Sequence, residues 1–209
     1  MAISKLNYNS LNVTPSANQA IGFDSGADDL ETGASGASMK FIKKVTASSD
    51  STISFVDGTS SVVLDNTYKE YVFIFKDIHP ASSGENFTVN FRDGGTDYDA
   101  TKTTTLFTAD HSEAGSSDGL TYVTAQDLAQ STDFQPLTIN TGNRSDESCS
   151  GYLHLFNPAS TTFVKHFMAR INNYVSNNYS EDTFTAGYCN TTTAIDGAQF
   201  KFSSGNIDS

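Results

Sequence analysis

Three groups of acidic residues carry the carboxylate oxygens that Ca²⁺ prefers, and they are the first candidates for chemistry in this sequence. The segment RDGGTDYD, residues 92–99, is the best of them, because Gly94 and Gly95 permit a tight turn around an ion. None of the groups has the fixed spacing of an EF-hand loop, so we expect solvated loops and no metal site. The groups are Asp24/Asp28/Asp29/Glu31, Asp93/Asp97/Asp99 and Asp110/Glu113.

Histidine and cysteine offer a second route to a metal site. His154 and His166 fall on neighbouring predicted strands, and Cys149 is close to them in sequence. Zinc sites usually show short spacings such as C-x2-C or H-x3-H. This chain has none, so we predict no metal and no cofactor. Cys149 and Cys189 leave two alternatives open, a disulfide or a pair of buried free thiols.

No catalytic residue is predicted. The chain lacks the G-x-S-x-G element of serine hydrolases, and no glycine-rich loop precedes a helix. Glycoside hydrolysis requires a pair of Asp or Glu residues, but such residues are scattered here and single out no site. We therefore expect a protein that is not an enzyme.

Tyrosines in or beside loops rich in Asn and Asp are candidates for a glycan-binding rim. Sugar sites combine aromatic faces with hydrogen bonds from amides and carboxylates. The alternative is a half-buried ring that caps the edge of a sandwich, and the absence of tryptophan favours it. The candidate glycan-binding residues are Tyr98, Tyr122, Tyr174 and Tyr179, with Tyr188 beside them.

Composition indicates a β protein and argues against nucleic acid as a partner. The chain of 209 residues contains 27 Ser and 25 Thr, and only 17% of its residues are charged. Its net charge is −12, and the single local basic cluster, Lys40/Lys43/Lys44, is too small for a phosphate-binding surface. No apolar run approaches the ~20 residues of a membrane span, so no membrane insertion is expected.

The chain changes character near residue 39. Residues 1–38 place a few apolar side chains among Asn, Ser, Gly and Asp, and this composition cannot form a core by itself. We interpret them as an extended N-terminal anchoring arm and linker, and residues 39–209 as a β-sandwich domain. The anchoring residues of the arm are Ile3, Leu6, Leu11 and Val13.

Short segments rich in β-branched and aromatic residues, separated by turn clusters, recur from residue 39 onward. With only one weak helix candidate, TAQDLAQ at residues 124–130, they predict an all-β fold, an antiparallel, jelly-roll-like β-sandwich. The predicted strands cover residues 40–46, 51–56, 69–78, 86–92, 101–107, 120–125, 134–139, 150–156, 163–172, 183–189 and 198–203.

The third predicted strand contains YVFIF, residues 71–75, which is apolar at every position. A strand with one solvated face alternates between apolar and polar residues. We therefore predict that this strand lies at the centre of the fold and close to an oligomer contact. Val72 and Ile74 would be covered by a loop, by the arm or by a neighbouring subunit.

Several blocks of the sequence resemble structural proteins of marine tailed phages of the cyanophage and pelagiphage type. The resemblance spans about residues 40–208 and implies a virion location with a fibre-like or decorating role, without catalytic residues. The blocks are TASSDSTISF, TYKEYVFIFKDIHP, TKTTTLF, TYVTAQDLAQSTDFQPL, ESCSGYLHLFNPASTTFVKHFMAR and FKFSSGNID.

Two functions follow as hypotheses. The first is a phage virion structural protein, a fibre or a capsid or tail decoration, that is anchored by its arm and projects the sandwich outward. Its partners would be two further copies in a homotrimer and other virion proteins. The alternative is a module of a tail or head fibre that attaches to host surface glycan. A glycan-degrading enzyme is a third hypothesis, and the sequence supports it least.

Overall fold

The computed structural model describes residues 39–208 in full and the backbone of residues 21–23 and 30–32. The chain divides into two compact units, Met1–Phe41 and Ile42–Ser209. In the first unit, β1 (Ile21–Phe23) pairs antiparallel with β2 (Leu30–Thr32). Neither strand was predicted. The predicted anchoring residues Ile3, Leu6, Leu11 and Val13 lie outside the described residues.

The described part of the second unit contains ten strands and no helix, which confirms the all-β prediction. Every predicted strand from residue 51 onward is present, and the TAQDLAQ segment forms turns and irregular backbone. The strands are β3 (Ile53–Val56), β4 (Glu70–Ile78), β5 (Phe87–Arg92), β6 (Lys102–Ser112), β7 (Asp118–Tyr122), β8 (Gln135–Pro136), β9 (Cys149–Phe156), β10 (Lys165–Val175), β11 (Tyr179–Cys189) and β12 (Gly197–Phe202).

These strands form two antiparallel sheets. One has six strands in the order β4-β9-β10-β11-β6-β7, and the other has four in the order β3-β12-β5-β8. β10 and β11 lie in the middle of the larger sheet and pair over eleven residues, as do β11 and β6. Strict alternation of buried and exposed residues along β10 gives this sheet an inner and an outer face.

The inner faces of both sheets contribute to one apolar core. Phe91 of β5 and Phe167 of β10 meet with ring centroids 5.1 Å apart, and Phe75 of β4 meets Phe200 of β12 at 5.0 Å. Leu153 on β9 is completely buried in the same cluster. Phenylalanine dominates this core because β-branched and aromatic side chains fill the space between two pleated surfaces. The fold is therefore sandwich-like.

The prediction that YVFIF lies at the centre of the fold is wrong. β4 is an edge strand of the larger sheet and pairs only with β9 within the described chain. Its apolar run nevertheless has two faces. Phe73 and Phe75 point to the core, whereas Ile74 is 72% exposed and Val72 is half-buried. The described residues thus cover one face of the run and leave Ile74 open.

The first predicted strand, KFIKKVT at residues 40–46, is irregular backbone and not a strand. Ile42 packs instead against a second, smaller cluster made by Val62, Leu64 and Tyr71. The loop between β3 and β4 supplies Val62 and Leu64, and the Asp57 carboxylate accepts a hydrogen bond of 2.8 Å from the Leu64 amide. The apolar residues of KFIKKVT therefore serve packing without sheet pairing.

Candidate functional site

A row of outward-facing side chains crosses the outer face of the larger sheet from edge to edge. Strand pairing places one residue of each of the six strands in this row. Four members are apolar or aromatic and more than a third exposed: Ile74 72%, Tyr122 51%, Tyr152 41% and Phe107 39%. In order across the sheet, the row is Ile74, Tyr152, Arg170, Phe184, Phe107 and Tyr122. We call it the cross-sheet row.

Contacts within the cross-sheet row hold its rings in place. Phe107 and Phe184 stack with centroids 4.7 Å apart and planes 4° from parallel. The Arg170 guanidinium lies 4.8 Å from the Phe184 centroid, and it donates two hydrogen bonds to the Asp182 carboxylate at 2.7 and 3.0 Å. Such stacking and cation–π contacts order side chains that solvent would otherwise leave free to rotate.

Tyr122, at the far end of the row, is also fixed. Its hydroxyl donates to the Asp127 carboxylate at 2.6 Å, and that hydrogen bond raises the pKa of Tyr122. Two further exposed apolar residues flank the row, Met168 at 56% and Leu120 at 75%. Val72 pairs with His154 of β9, and His154 pairs with Met168 of β10, so Val72 and Met168 lie in one row across the sheet. The result is an outer face on which exposed apolar and aromatic side chains surround the Arg170–Asp182 ion pair.

This face has the composition of a protein interface. Aromatic residues, Met and Arg are enriched in interface cores, whereas a monomer rarely exposes a large contiguous apolar patch. Six strands at ~4.8 Å and about nine residues at ~3.3 Å give about 850 Å². A standard interface buries about 800 Å² per partner. The outer face is therefore large enough for one stable contact.

The structure does not gather the candidate glycan-binding tyrosines into one rim. Tyr98 lies in the loop before β6, near the end where Lys102 pairs with Cys189. Tyr179 pairs with Ser112 at the opposite end of the eleven-residue strand β6. Tyr122 belongs to the cross-sheet row. Tyr174 and Tyr179 lie on the two strands of the β10–β11 hairpin, and the register turns their side chains to opposite faces of the sheet.

A shallow pocket of about 430 Å³ lies beside that hairpin. The Tyr174 hydroxyl donates to the Glu113 carboxylate at 2.9 Å, a hydrogen bond that raises the pKa of Tyr174, and Glu113 lines the pocket. The pocket thus offers a ring, amides, hydroxyls and one carboxylate to a ligand. Its lining is Ser112, Glu113, Ala114, Ser116, Asn177, Asn178 and Tyr179.

The histidines and cysteines do not converge. Cys149 is buried on the inner side of β9, whereas His154, an odd number of residues further along the same strand, is on its outer side beside Glu70. His166 packs against Tyr188 on the outer face. Both Cys149 and Cys189 are free buried thiols, which decides between the two alternatives left open. Burial raises the pKa of both thiols, that of Cys189 to about 12.

The acidic groups also separate. Asp110 lies within β6, and Glu113 lies beyond the end of that strand and binds Tyr174. Asp97 and Asp99 are exposed. Within residues 39–208, no three side chains of His, Cys, Asp or Glu come together in a metal-binding arrangement. Asp24, Asp28, Asp29 and Glu31 fall outside the residues whose side chains are described.

Two further observations bear on function. No helix in the described part of the chain is long and apolar enough to cross a membrane. No family model, curated protein or solved structure matches the chain.

Proposed function

We propose that this chain is a structural protein of a phage virion, a fibre or a decoration, whose copies pack together through the outer face of the larger sheet. The observation that carries the proposal is the cross-sheet row with its flanking residues Met168 and Leu120, since together they place an apolar or aromatic side chain on the outer face of every strand of one sheet. The phage-like sequence blocks supply the virion location. The N-terminal arm, with Ile3, Leu6, Leu11 and Val13, would anchor the chain to other virion proteins.

The chain's order of strands supports the finer fold assignment, a jelly-roll-like sandwich. From β3 to β6 the chain passes to the other sheet at every connection, and β6 and β7 then form a hairpin within one sheet. Eight-stranded jelly rolls are built in this alternating manner. The β9–β10 pair lies between β4 and β11 and would be an inserted hairpin.

A copy of the same chain is the occupant that fits the outer face best. Ile74, Leu120 and Met168 are aliphatic and more than half exposed, and a sugar gains little from such side chains, whereas a second protein surface buries them. Arg170 is neutralised by Asp182, so two copies of the centre of this face do not repel each other. Closed symmetry, proposed as a homotrimer, covers the face in every copy.

The oligomer can be tested by light scattering during size-exclusion chromatography. We expect three times the 22.4 kDa of one chain. The double variant Ile74→Lys/Leu120→Lys should give the mass of one chain, because it buries an unpaired charge at both edges of the contact. Ser54→Lys, on the exposed side of β3, is the control and should keep the oligomer. A wild-type monomer at micromolar concentration would contradict the assembly proposal, and detection of the chain in purified particles would test its location.

Host-glycan binding is a second candidate function, and the pocket at the β10–β11 hairpin favours it. We expect Tyr179→Ala and Glu113→Gln to reduce binding on a glycan array at least tenfold, because they remove the stacking face and the hydrogen-bonding carboxylate. Tyr98→Ala, at the other end of β6, should leave binding unchanged. Equal losses in all three variants, or no signal from the wild-type chain, would remove this candidate.

A further inference from the structure

Three buried side-chain oxygens on neighbouring strands of the larger sheet have no hydrogen-bond partner among the described residues. They are Asn173 Oδ1, Glu181 Oε1 and Thr183 Oγ1, and within residues 39–208 no other buried side-chain atom shares this condition. Native proteins leave few buried polar atoms unpaired, because each one costs about 1–3 kcal/mol. Three such atoms on two neighbouring strands therefore require an explanation.

Strand pairing sets these residues side by side. Asn173 of β10 lies directly opposite Glu181 of β11, and Glu181 lies directly opposite Asp110 of β6. Residues paired in this way have Cβ atoms about 4.5–5.5 Å apart. Thr183 follows Glu181 by two residues, so its side chain points to the same inner face. The four residues are thus neighbours on the inner face of the larger sheet.

Because this region is buried, an uncompensated charge in it raises the free energy of the folded state. Asn173 and Thr183 are each only 1% exposed. Neither Asp110 nor Glu181 takes part in any ion pair among the described residues. Two neighbouring carboxylates therefore lack a compensating positive charge.

Neighbouring groups fix the orientation of this cluster. The Asn173 side-chain amide donates from Nδ2 to the Ile139 carbonyl oxygen at 2.9 Å, which identifies Oδ1 as the free acceptor. Asp110 pairs with Glu181 on one side and with residue 119 of β7 on the other, and residue 119 is glycine. A Cβ there would lie 3.2 Å from Asp110 Oδ1, so the missing side chain leaves room for the carboxylate.

We infer that Asp110, Asn173, Glu181 and Thr183 form a binding site for a hard divalent cation of the calcium class. Two carboxylates, one amide oxygen and one hydroxyl are the donor types that Ca²⁺ takes in proteins. Their combined charge of −2 matches the ion. A bound cation would satisfy the unpaired oxygens, balance the carboxylates and tie together β6, β10 and β11. This site is independent of the proposed assembly.

The metal alone is the first probe, used with full-length protein that has been treated with a chelator and exchanged into metal-free buffer. We expect isothermal titration calorimetry with CaCl₂ to give one site per chain. At a hundredfold excess over Kd, Ca²⁺ should raise the melting temperature by about 5–10 °C. Parallel titrations with MgCl₂ and NaCl should give smaller shifts, because the four ligands lie on three strands and cannot easily adopt strict octahedral geometry.

Variants distinguish a cation site from a proton or a buried water. Glu181→Gln should abolish the Ca²⁺-dependent shift, and in chelator it should melt at or above the wild-type temperature, because a buried charge has been removed. Asp118→Asn, an exposed residue on β7, is the matched control and should keep the full shift. Absence of both heat and a melting shift in the wild-type chain at millimolar Ca²⁺ would overturn the inference. So would an undiminished shift in Glu181→Gln.

Discussion

Two lysines on the inner face of the larger sheet show how single buried charges affect the stability of this fold. Lys102 and Lys165 flank Cys189 in one cross-strand row, and all three are fully buried. Lys102 Nζ donates to the Ala100 carbonyl oxygen at 2.7 Å and also to Asn90 Oδ1. Burial lowers the pKa of both lysines, that of Lys102 to about 8.

A pH-dependent contribution to stability follows from Lys102. Its folded pKa of about 8 lies below the ordinary value of 10.5, so the unfolded chain binds more protons between these values. Stability from this group therefore rises with pH across that window, and its cost is fully present below pH 8. Relative to Lys102→Met, the wild-type chain should gain about 2–3 kcal/mol between pH 7 and pH 10.5.

Urea unfolding of both chains at the two pH values measures this difference. The exposed Lys44→Met variant serves as the matched control for loss of a lysine charge. A wild-type-minus-variant difference that stays constant with pH would show that Lys102 is solvated in the folded state.

Residue types in the sequence identified candidates for chemistry but not their neighbours. The sequence placed Asp110 with Glu113, three residues away, whereas the sheet places Asp110 beside Glu181, which is far along the chain. Tyr174 and Tyr179 were candidates because of loop composition, and their placement on opposite faces of the sheet depends on a hairpin register. Side-chain chemistry is local information, but a site requires spatial neighbours.

At the scale of elements, hydrophobic pattern predicted the strands well and their positions in the sheets poorly. All strands from residue 51 onward were found, because turn residues and β-branched runs are local signals. The order of the strands is not local, and β4 is an edge strand in spite of its apolar run. Apolar residues on both faces indicated burial in general, but they do not distinguish a central strand from an edge strand that carries an interface.

Gly151 of β9 lies where two strands of the larger sheet approach each other closely. A Cβ at this position would overlap the Arg170 carbonyl oxygen and lie 2.6 Å from the Ile171 Cα, both on the neighbouring strand β10. Backbone atoms cannot move away without breaking the ladder, so Gly151→Ala should lower the free energy of unfolding by about 2–3 kcal/mol. Chemical denaturation measures this loss.

The control for that variant is Gly95→Ala, in the loop after β5. A Cβ there has only the Asp97 amide nitrogen nearby, at 3.9 Å. We expect a change within about 0.5 kcal/mol. Similar losses in the two variants would mean that the close approach of β9 and β10 is not what requires glycine at position 151.

At the scale of the whole chain, function depends on which face each strand turns outward. The cross-sheet row combines residues from position 74 to position 184, and the oxygen cluster combines residues from position 110 to position 183. Both sets lie on the larger sheet, on opposite faces. The proposed assembly uses the outer set, and the inferred cation site uses the inner set.

The sequence by itself determined the all-β class, the strand positions from residue 51 onward and the location of the apolar runs, because turn propensity and residue alternation act over a few neighbouring positions. Tertiary structure alone decided that β4 is an edge strand, that the two thiols stay free, that six outward-facing residues align in one row and that Asp110 pairs with Glu181. The physical reason is that strand order and register arise from the packing of the two sheets against a common core. Those contacts join residues that are far apart in sequence, and no local pattern contains them.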